Sequence, residues 1–330
     1  MKLASLFLLP ATAALAFAPP QTKSIRKSSS PALFASSQGQ NDDDGLLSRR
    51  AVLGQSVAMA STLSLLSLSP LPALSDDAAI STVVVAGSTG QTGRRIVERL
   101  ASRPATSVVA GVRNVAKAQK SLSESSTVVR GAMVQTVPSV SASSVSLKEL
   151  NVVSDSVDAM AETLKGADSL VIAVGFVPGN PLKMNDAAHE VDNVGTCKLI
   201  DAAKKAGVKK VVMVSSILTN GRNWGQEKSP GFIVTNAFGN VLDEKLVAEN
   251  YLRQSGLDYT IVRPGGLKAK PPAGPLKISG EDTLNAGEIS RDLVADVCVA
   301  CLTDEKAKNK VLEIIEEEEG GPQVFNGLNM

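Results

Sequence analysis

Residues 76–330 alternate between short β-branched runs and longer amphipathic stretches. Thr82–Ala86, Ser107–Arg113, Ser169–Gly175, Lys210–Ser216, Asp258–Arg263 and Lys310–Ile315 are nearly continuous in apolar character. Such runs suit strands buried on both faces of a parallel sheet. Between them lie helical patterns: one ending near Leu100, a short one over Val157–Leu164, then His189–Ala206, Leu242–Leu252 and residues 285–304. Strand and helix in strict alternation predict an α/β protein, a doubly wound parallel sheet. The C-terminal portion is too short to bury a core of its own and is expected to pack as a small lobe on a single domain. Residues 121–147 are rich in Ser and Val with little helical period and read as an insertion or long loop. Val152–Asp155 resembles a strand end, and Glu316–Glu319 an acidic solvated tail.

The first 75 residues follow a different pattern. Lys2 precedes an apolar run from Leu3 to Ala16, stopped by Pro19-Pro20, as in a signal peptide. Gln21–Gln40 is rich in Ser and Ala, carries Lys23, Arg26 and Lys27, and has no acid, which is transit-peptide composition. The stretch Ala13–Pro19 resembles the Phe-centred junction of presequences directed to complex plastids. Arg49-Arg50 then precede a moderately apolar run to Leu74 with small residues before Asp76, a twin-arginine-like signal. The expectation is a presequence over 1–75, a folded domain over 76–330, and delivery to the thylakoid lumen of a plastid. Stroma, or a thylakoid anchor retained at 51–74, is the alternative, since 24 residues suffice to span.

Composition narrows the function classes. The first 75 residues hold six of the 34 basic and three of the 33 acidic side chains, which leaves 28 against 30 in the remainder. No basic face suggests nucleic acid, and aromatics are only 3%, too few for base-stacking platforms. Three cysteines do not make a disulfide framework. Cys298 and Cys301 lie inside a helical pattern and read as buried small hydrophobes. His189 has no second histidine and no nearby cysteine, so no metal site is expected.

The chemistry gathers at Val83-Val84-Val85-Ala86-Gly87-Ser88-Thr89-Gly90-Gln91-Thr92-Gly93. Three glycines at spacings of three between a strand and a helix form a dinucleotide cradle. Gly87 allows the turn, Gly90 admits the pyrophosphate, and Gly93 lets the helix pack close. Arg113 stands twenty positions after Gly93, where an acid would bind the ribose of NAD and an arginine suits the 2′-phosphate of NADP. NADP is therefore expected over NAD. Ala173-Val174-Gly175 ends one strand, where Gly175 would let backbone approach the cofactor. Ser215 and Ser216 end another, at the carboxyl edge where ligands bind in such sheets. Pro264-Gly265-Gly266-Leu267 reads as a turn rich in backbone N–H groups. The roughly 20-residue stretch after Ser216, with the only tryptophan, Trp224, reads as a functional loop.

Together with Ala110–Arg113, Val212–Ser216, Lys245, Ala248-Glu249 and Ser255–Leu267, the glycine motif resembles the atypical short-chain dehydrogenase/reductases of the NmrA-like kind. Most similar is the plastid branch that contains the dehydrogenase-like subunit of the inner-envelope translocon. The resemblance spans about Thr82–Ile315 and implies a Rossmann fold, NAD(P) binding, and a ribose-holding role for Lys245. Ordinary members carry a tyrosine four residues before that lysine as proton relay. Here the position is Val241, and neither Tyr251 nor Tyr259 has the right spacing. The proton then comes from water or Ser215, or no turnover occurs. Two functions remain: an NADP-dependent reductase acting on a small substrate, with flavin reduction as a minor variant, or a non-catalytic NADP-binding scaffold or redox-sensing partner of a plastid or thylakoid complex.

Overall fold

The computed structural model describes residues 82–123, 126–130, 133–137, 145–317, 319–321 and 323–330. The predicted presequence and the start of the folded domain at residue 76 lie outside these residues. Elements in chain order are β1 Thr82–Ala86, α1 Gln91–Ala101, β2 Ser107–Val112, α2 Val115–Ser123, β3 Ser126–Arg130, β4 Met133–Val137, β5 Val145–Glu149, α3 Val157–Leu164 and β6 Ser169–Ile172. These are followed by α4 Met184–Ala188, α5 Thr196–Ala206, β7 Lys210–Val214, α6 Pro230–Asn236, α7 Val241–Gln254, β8 Asp258–Pro264, β9 Gly266–Lys268, β10 Leu276–Ser279, β11 Glu288–Ser290, α8 Arg291–Ala300 and β12 Lys310–Glu316.

Eight strands form the main sheet in the order β10-β12-β8-β7-β6-β1-β2-β5. Seven run parallel, and β10 closes one edge antiparallel to β12. This is the expected Rossmann-like α/β fold. Period-two alternation sends side chains to two cores. Val83 and Val85 of β1, Val171 of β6 and Val212 of β7 pack beneath α1 and α8. Val84, Leu170, Ile172, Val211 and Met213 pack beneath α3, α5 and α7. Each fully buried valine or leucine contributes about 1.5–3 kcal/mol, which is why these strands show no polar alternation. β1 lies between β2 and β6, the point at which the strand order reverses and where open sheets of this class bind ligands.

The structure revises several boundaries. The 121–147 stretch is not a plain insertion: it holds the end of α2, the β3–β4 hairpin, and β5, which pairs parallel with β2 along the sheet edge. β5 is poorly buried, so burial imposes no apolar run on it, and its strand character depends on pairing with β2. Val152–Asp155 is a turn, tied by the Asn151 N–H donating to Asp155 at 2.7 Å. The stretch after Ser216 contains α6, whose N-terminus is capped by Ser229. The 285–304 helix shortens to α8 because residues 288–290 pair with β9. Glu316 is no solvated tail residue. It ends β12, is 6% exposed, and accepts from Lys268 Nζ and the Ala273 N–H at 3.0 Å each and from the Ser290 N–H.

Candidate functional site

The cradle follows from local geometry. Gly87 has φ +82°, and a Cβ there would come 2.6 Å from the Ala173 carbonyl oxygen, so the loop leans against the residue that follows β6. A Cβ on Gly93 would collide with the Gly87 carbonyl. The Gly90 N–H donates to Gly87 O at 2.9 Å, and the buried Ser88 hydroxyl donates to Val85 O at 2.6 Å, pinning the turn from below. Gly90 occupies the N-cap of α1. No side chain caps that helix, and its first turn contains no acid. Its leading N–H groups and positive dipole end are thus left for an external anion. Thr89 and Gly90 are exposed, Gln91 is half-buried and Thr92 is buried. A dinucleotide fits this cradle: backbone packs where side chains would stand, so the loop closes tightly on an uncapped helix start, and no acid lies in the first turn.

Around the cradle, the predicted residues fall into two groups. Arg113 is exposed one residue beyond β2 and has no hydrogen-bond or ion-pair partner among the described residues. Ala173 and Val174 are half-buried and Gly175 exposed at the carboxyl end of β6, and Ala173 N–H donates to Ala86 O at 3.0 Å. Lys245 projects from α7, its ammonium 2.8 Å from Asp192 Oδ1. Asp192 is 1% exposed, and its other oxygen accepts from the Phe176 N–H at 3.0 Å. One carboxylate therefore locks the lysine and the loop after Gly175 together. The contact is an ion pair without hydrogen-bond geometry at Oδ1, so the ammonium donors stay available for ribose hydroxyls. Asp192 was missed from sequence because it sits 53 positions from Lys245, on a π-helical segment, His189–Gly195, that interrupts the helical period.

Elsewhere the geometry departs from expectation. The Ser215 hydroxyl is buried and donates to Glu249 Oε1 at 2.5 Å, so its proton is committed to a carboxylate inside the protein. The half-buried Ser216 has a hydroxyl with no partner among the described residues, its carbonyl accepting from Thr219. Pro264–Leu267 is not a turn of open N–H groups. The Gly265 N–H donates to Ile314 O and the Gly266 N–H to Gly287 O, both at 2.9 Å, because the chain passes directly from β8 into β9. Val241 is 9% exposed in an apolar cluster with Ala188, Ile217, Leu218, Phe232 and Leu242, against which Phe176, Trp224 and Leu284 pack. The Tyr251 hydroxyl donates to Asp201 at 2.7 Å, and that bond pushes its pKa up to about 12. Tyr259 packs on the α3–α5–α7 core.

A buried charge cluster lies behind Ser215. Arg263, fully buried, is gripped bidentately by Glu249 (3.0 and 2.6 Å) and also reaches Asp282 (2.8 Å), Glu281 (3.1 Å) and Glu313 (3.3 Å). Burial alone would lower the Arg263 pKa, but Glu249, then Glu281 and Asp282, hold it above its ordinary value. Glu313 in turn accepts the N–H groups of Asp282, Thr283 and Leu284. Arg263 and Glu313 are register partners on β8 and β12. A charge of each sign inside two apolar runs was the available signal. Cys298 and Cys301 are buried free thiols, and burial pushes Cys301 up to about 12. Among the described residues no group of His, Cys, Asp and Glu could hold a metal, and no helix is long and apolar enough to cross a membrane.

Residues 132–305 match the model of a family described as NAD(P)H-binding. The chain belongs to that family. An uncharacterized chloroplastic protein of Arabidopsis thaliana is 44% identical over 250 residues, covering 74% of this chain and 80% of its own. The chloroplastic protein TIC 62 of Pisum sativum is 30% identical over 260 residues, covering 75% of this chain but 45% of its own length. Among solved structures, the oxidoreductase ylbE of Lactococcus lactis superposes with TM-score 0.56 at 24% identity, covering 72% of this chain and 91% of that one. A short-chain dehydrogenase/reductase of Veillonella parvula in complex with NADP superposes with TM-score 0.51 at 14% identity, over 72% and 95% of the two chains. At these identities the structures speak to fold alone. That fold, with the NAD(P)H-binding family match, accords with the resemblance to the atypical short-chain dehydrogenase/reductases of NmrA-like kind.

Proposed function

We propose that this NAD(P)-binding protein is an NADP(H)-selective reductase-like protein of the plastid. The observation that carries the selectivity is Arg113: an exposed guanidinium immediately past β2, without a partner among the described residues and with no acid among the residues that end that strand. It would pair with a 2′-phosphate. The backbone of Gly87–Gly93 would hold the pyrophosphate, Ala173–Gly175 and Pro264–Leu267 would line the nicotinamide half, and Lys245, held by Asp192, would orient the ribose. When bound, the nicotinamide supplies or accepts a hydride. No phenol stands near Lys245 to relay a proton and the Ser215 hydroxyl is engaged by Glu249, so water delivers any proton the substrate needs. Titrating the purified protein with NADPH and NADH tests the proposal. NADPH should bind about ten- to hundredfold tighter, the worth of a charge-assisted contact, and Arg113→Ala should erase the difference. Equal affinities in the unaltered protein would sink it.

Val241 favours a second reading, an NADP-binding scaffold or redox-sensing partner of a plastid complex that does not turn over. The chloroplastic relatives, TIC 62 among them, support the compartment and are compatible with either reading. NADPH oxidation against quinones, aldehydes and flavins separates the two: turnover lost in Lys245→Ala supports the reductase, and no turnover with any acceptor supports the scaffold. The presequence over 1–75 and delivery to the thylakoid lumen belong to the same proposal. A fluorescent fusion of residues 1–80 retained in the stroma would overturn the lumenal part.

A further inference from the structure

Arg291, the first residue of α8, is a cation without a counterion. Its Nη1 has neither accessible surface nor a hydrogen-bond partner, and it forms no ion pair among the described residues. Burial lowers its pKa, and the neighbouring Arg95 lowers it further. A half-buried guanidinium facing a like charge is unfavourable in the free protein, so the position calls for an anion that the chain itself does not provide.

The helix register says where that anion sits. Arg95 bonds Asp292 at 3.2 Å, and Arg99 bonds both Asp292 and Asp296. The partners advance together, so α1 and α8 run side by side in the same direction. α1 begins at the carboxyl end of β1 in the main sheet, and α8 follows β11 of the small β9–β11 sheet. Arg95 also turns back to the first residue of α1, donating to Gln91 O at 2.9 Å and to Gln91 Oε1 at 3.3 Å. Arg291 therefore starts its helix next to the uncapped, acid-free start of α1. The start of α8 is capped by Ser290 and carries Asp292, the partner of Arg95, so the open features on this side of the glycine cradle are the start of α1 and the Arg291 guanidinium.

We propose that Arg291 is a cofactor-binding residue that pairs with the pyrophosphate of the dinucleotide from the α8 side, opposite the Gly87–Gly93 backbone. This rests on the dinucleotide reading above and adds a second wall to its phosphate site. Arg113 and Arg291 then have separable duties: Arg113 discriminates between NADPH and NADH, whereas Arg291 serves both equally, because both carry the pyrophosphate.

The test compares Arg291→Met, which keeps the aliphatic bulk, and Arg291→Lys, which keeps the charge, by calorimetric titration with NADPH, NADH and ADP-ribose. Arg291→Met should weaken all three by a common factor of about ten to a hundred, and Arg291→Lys should recover part of the loss. Because the free protein holds an uncompensated cation, Arg291→Met should leave the melting temperature of the cofactor-free protein unchanged or raise it. Unchanged affinities in Arg291→Met overturn the inference, as does a lowered melting temperature of the cofactor-free variant, which would mark a structural arginine. So does stabilisation of the unaltered protein by inorganic phosphate, lost in Arg291→Met, with dinucleotide affinity intact, since the anion would then be free phosphate. If the unaltered protein binds neither NADPH nor NADH, the dinucleotide reading itself fails, which is a different result from binding that ignores residue 291.

Discussion

Arg263 and Arg291 are both withdrawn from solvent, yet their surroundings are opposite. Arg263 is fully buried and meets four carboxylates, from Glu249, Glu281, Asp282 and Glu313. Arg291 pairs with none among the described residues and has Arg95 as its charged neighbour. A buried cation needs compensation, and the chain provides it in one case and withholds it in the other. The Arg263 cluster ties α7, β8, β12 and the 281–284 loop into one unit, which makes that side of the molecule a closed structural joint. The cradle side leaves a helix start uncapped and, among the described residues, Arg113 and Arg291 unpaired. Charges that a fold satisfies internally hold structure; charges it leaves open beside an uncapped helix start are suited to a ligand.

The sharpest way to break this comparison is to remove Arg263. Arg263→Met leaves Glu249 and Glu313 buried without their cation and should cost roughly 3–5 kcal/mol in urea unfolding. Adding Glu249→Leu should restore part of that loss, since an apolar replacement of a whole buried pair is often neutral or better. If Arg263→Met proved as stable as the unaltered protein, the closed-joint reading would be wrong. Next in size is Gly93→Ala. Its methyl group would meet the Gly87 carbonyl, and a shift costing about 1–3 kcal/mol should weaken NADPH binding roughly ten- to hundredfold. Binding at full affinity would remove the glycine loop from the site.

The smallest effect is electrostatic. Burial would raise the pKa of Glu316, but the N–H groups of Ala273 and Ser290, with Lys268, hold it below its ordinary value. A folded-state pKa below the unfolded one means that the stability it contributes is fully present above the unfolded value. That stability is lost as pH falls through the folded value. Glu316→Gln should therefore be less stable than the unaltered protein at neutral pH and should lose less on acidification. Denaturant midpoints measured across the acid range check this, and parallel curves for the two proteins would rule it out.

Where the determinants are local, the sequence was legible. The turn at Gly87, the close packing at Gly93 and the strand before them are properties of neighbouring residues, and β1, β6, β7 and β8 stand out because burial on both faces demands apolar side chains. β5 was hidden for the opposite reason, since an exposed edge strand has little burial to declare it. The Val241 substitution was also readable, because a residue four positions before a lysine on a helix shares its face whatever the fold.

What only the tertiary structure decided are the partnerships. Asp192 beneath Lys245, Glu249 accepting the Ser215 proton, Glu313 set against Arg263 in register, and the glycine N–H groups after Pro264 taken up by β12 and the Gly287 carbonyl all join residues remote in sequence. The same holds for Arg291. One sequence position cannot state whether an arginine will meet a carboxylate, because that depends on which helices the sheet lays side by side. Local steric rules wrote the cradle into the chain, whereas long-range packing determined which of its charges stay open.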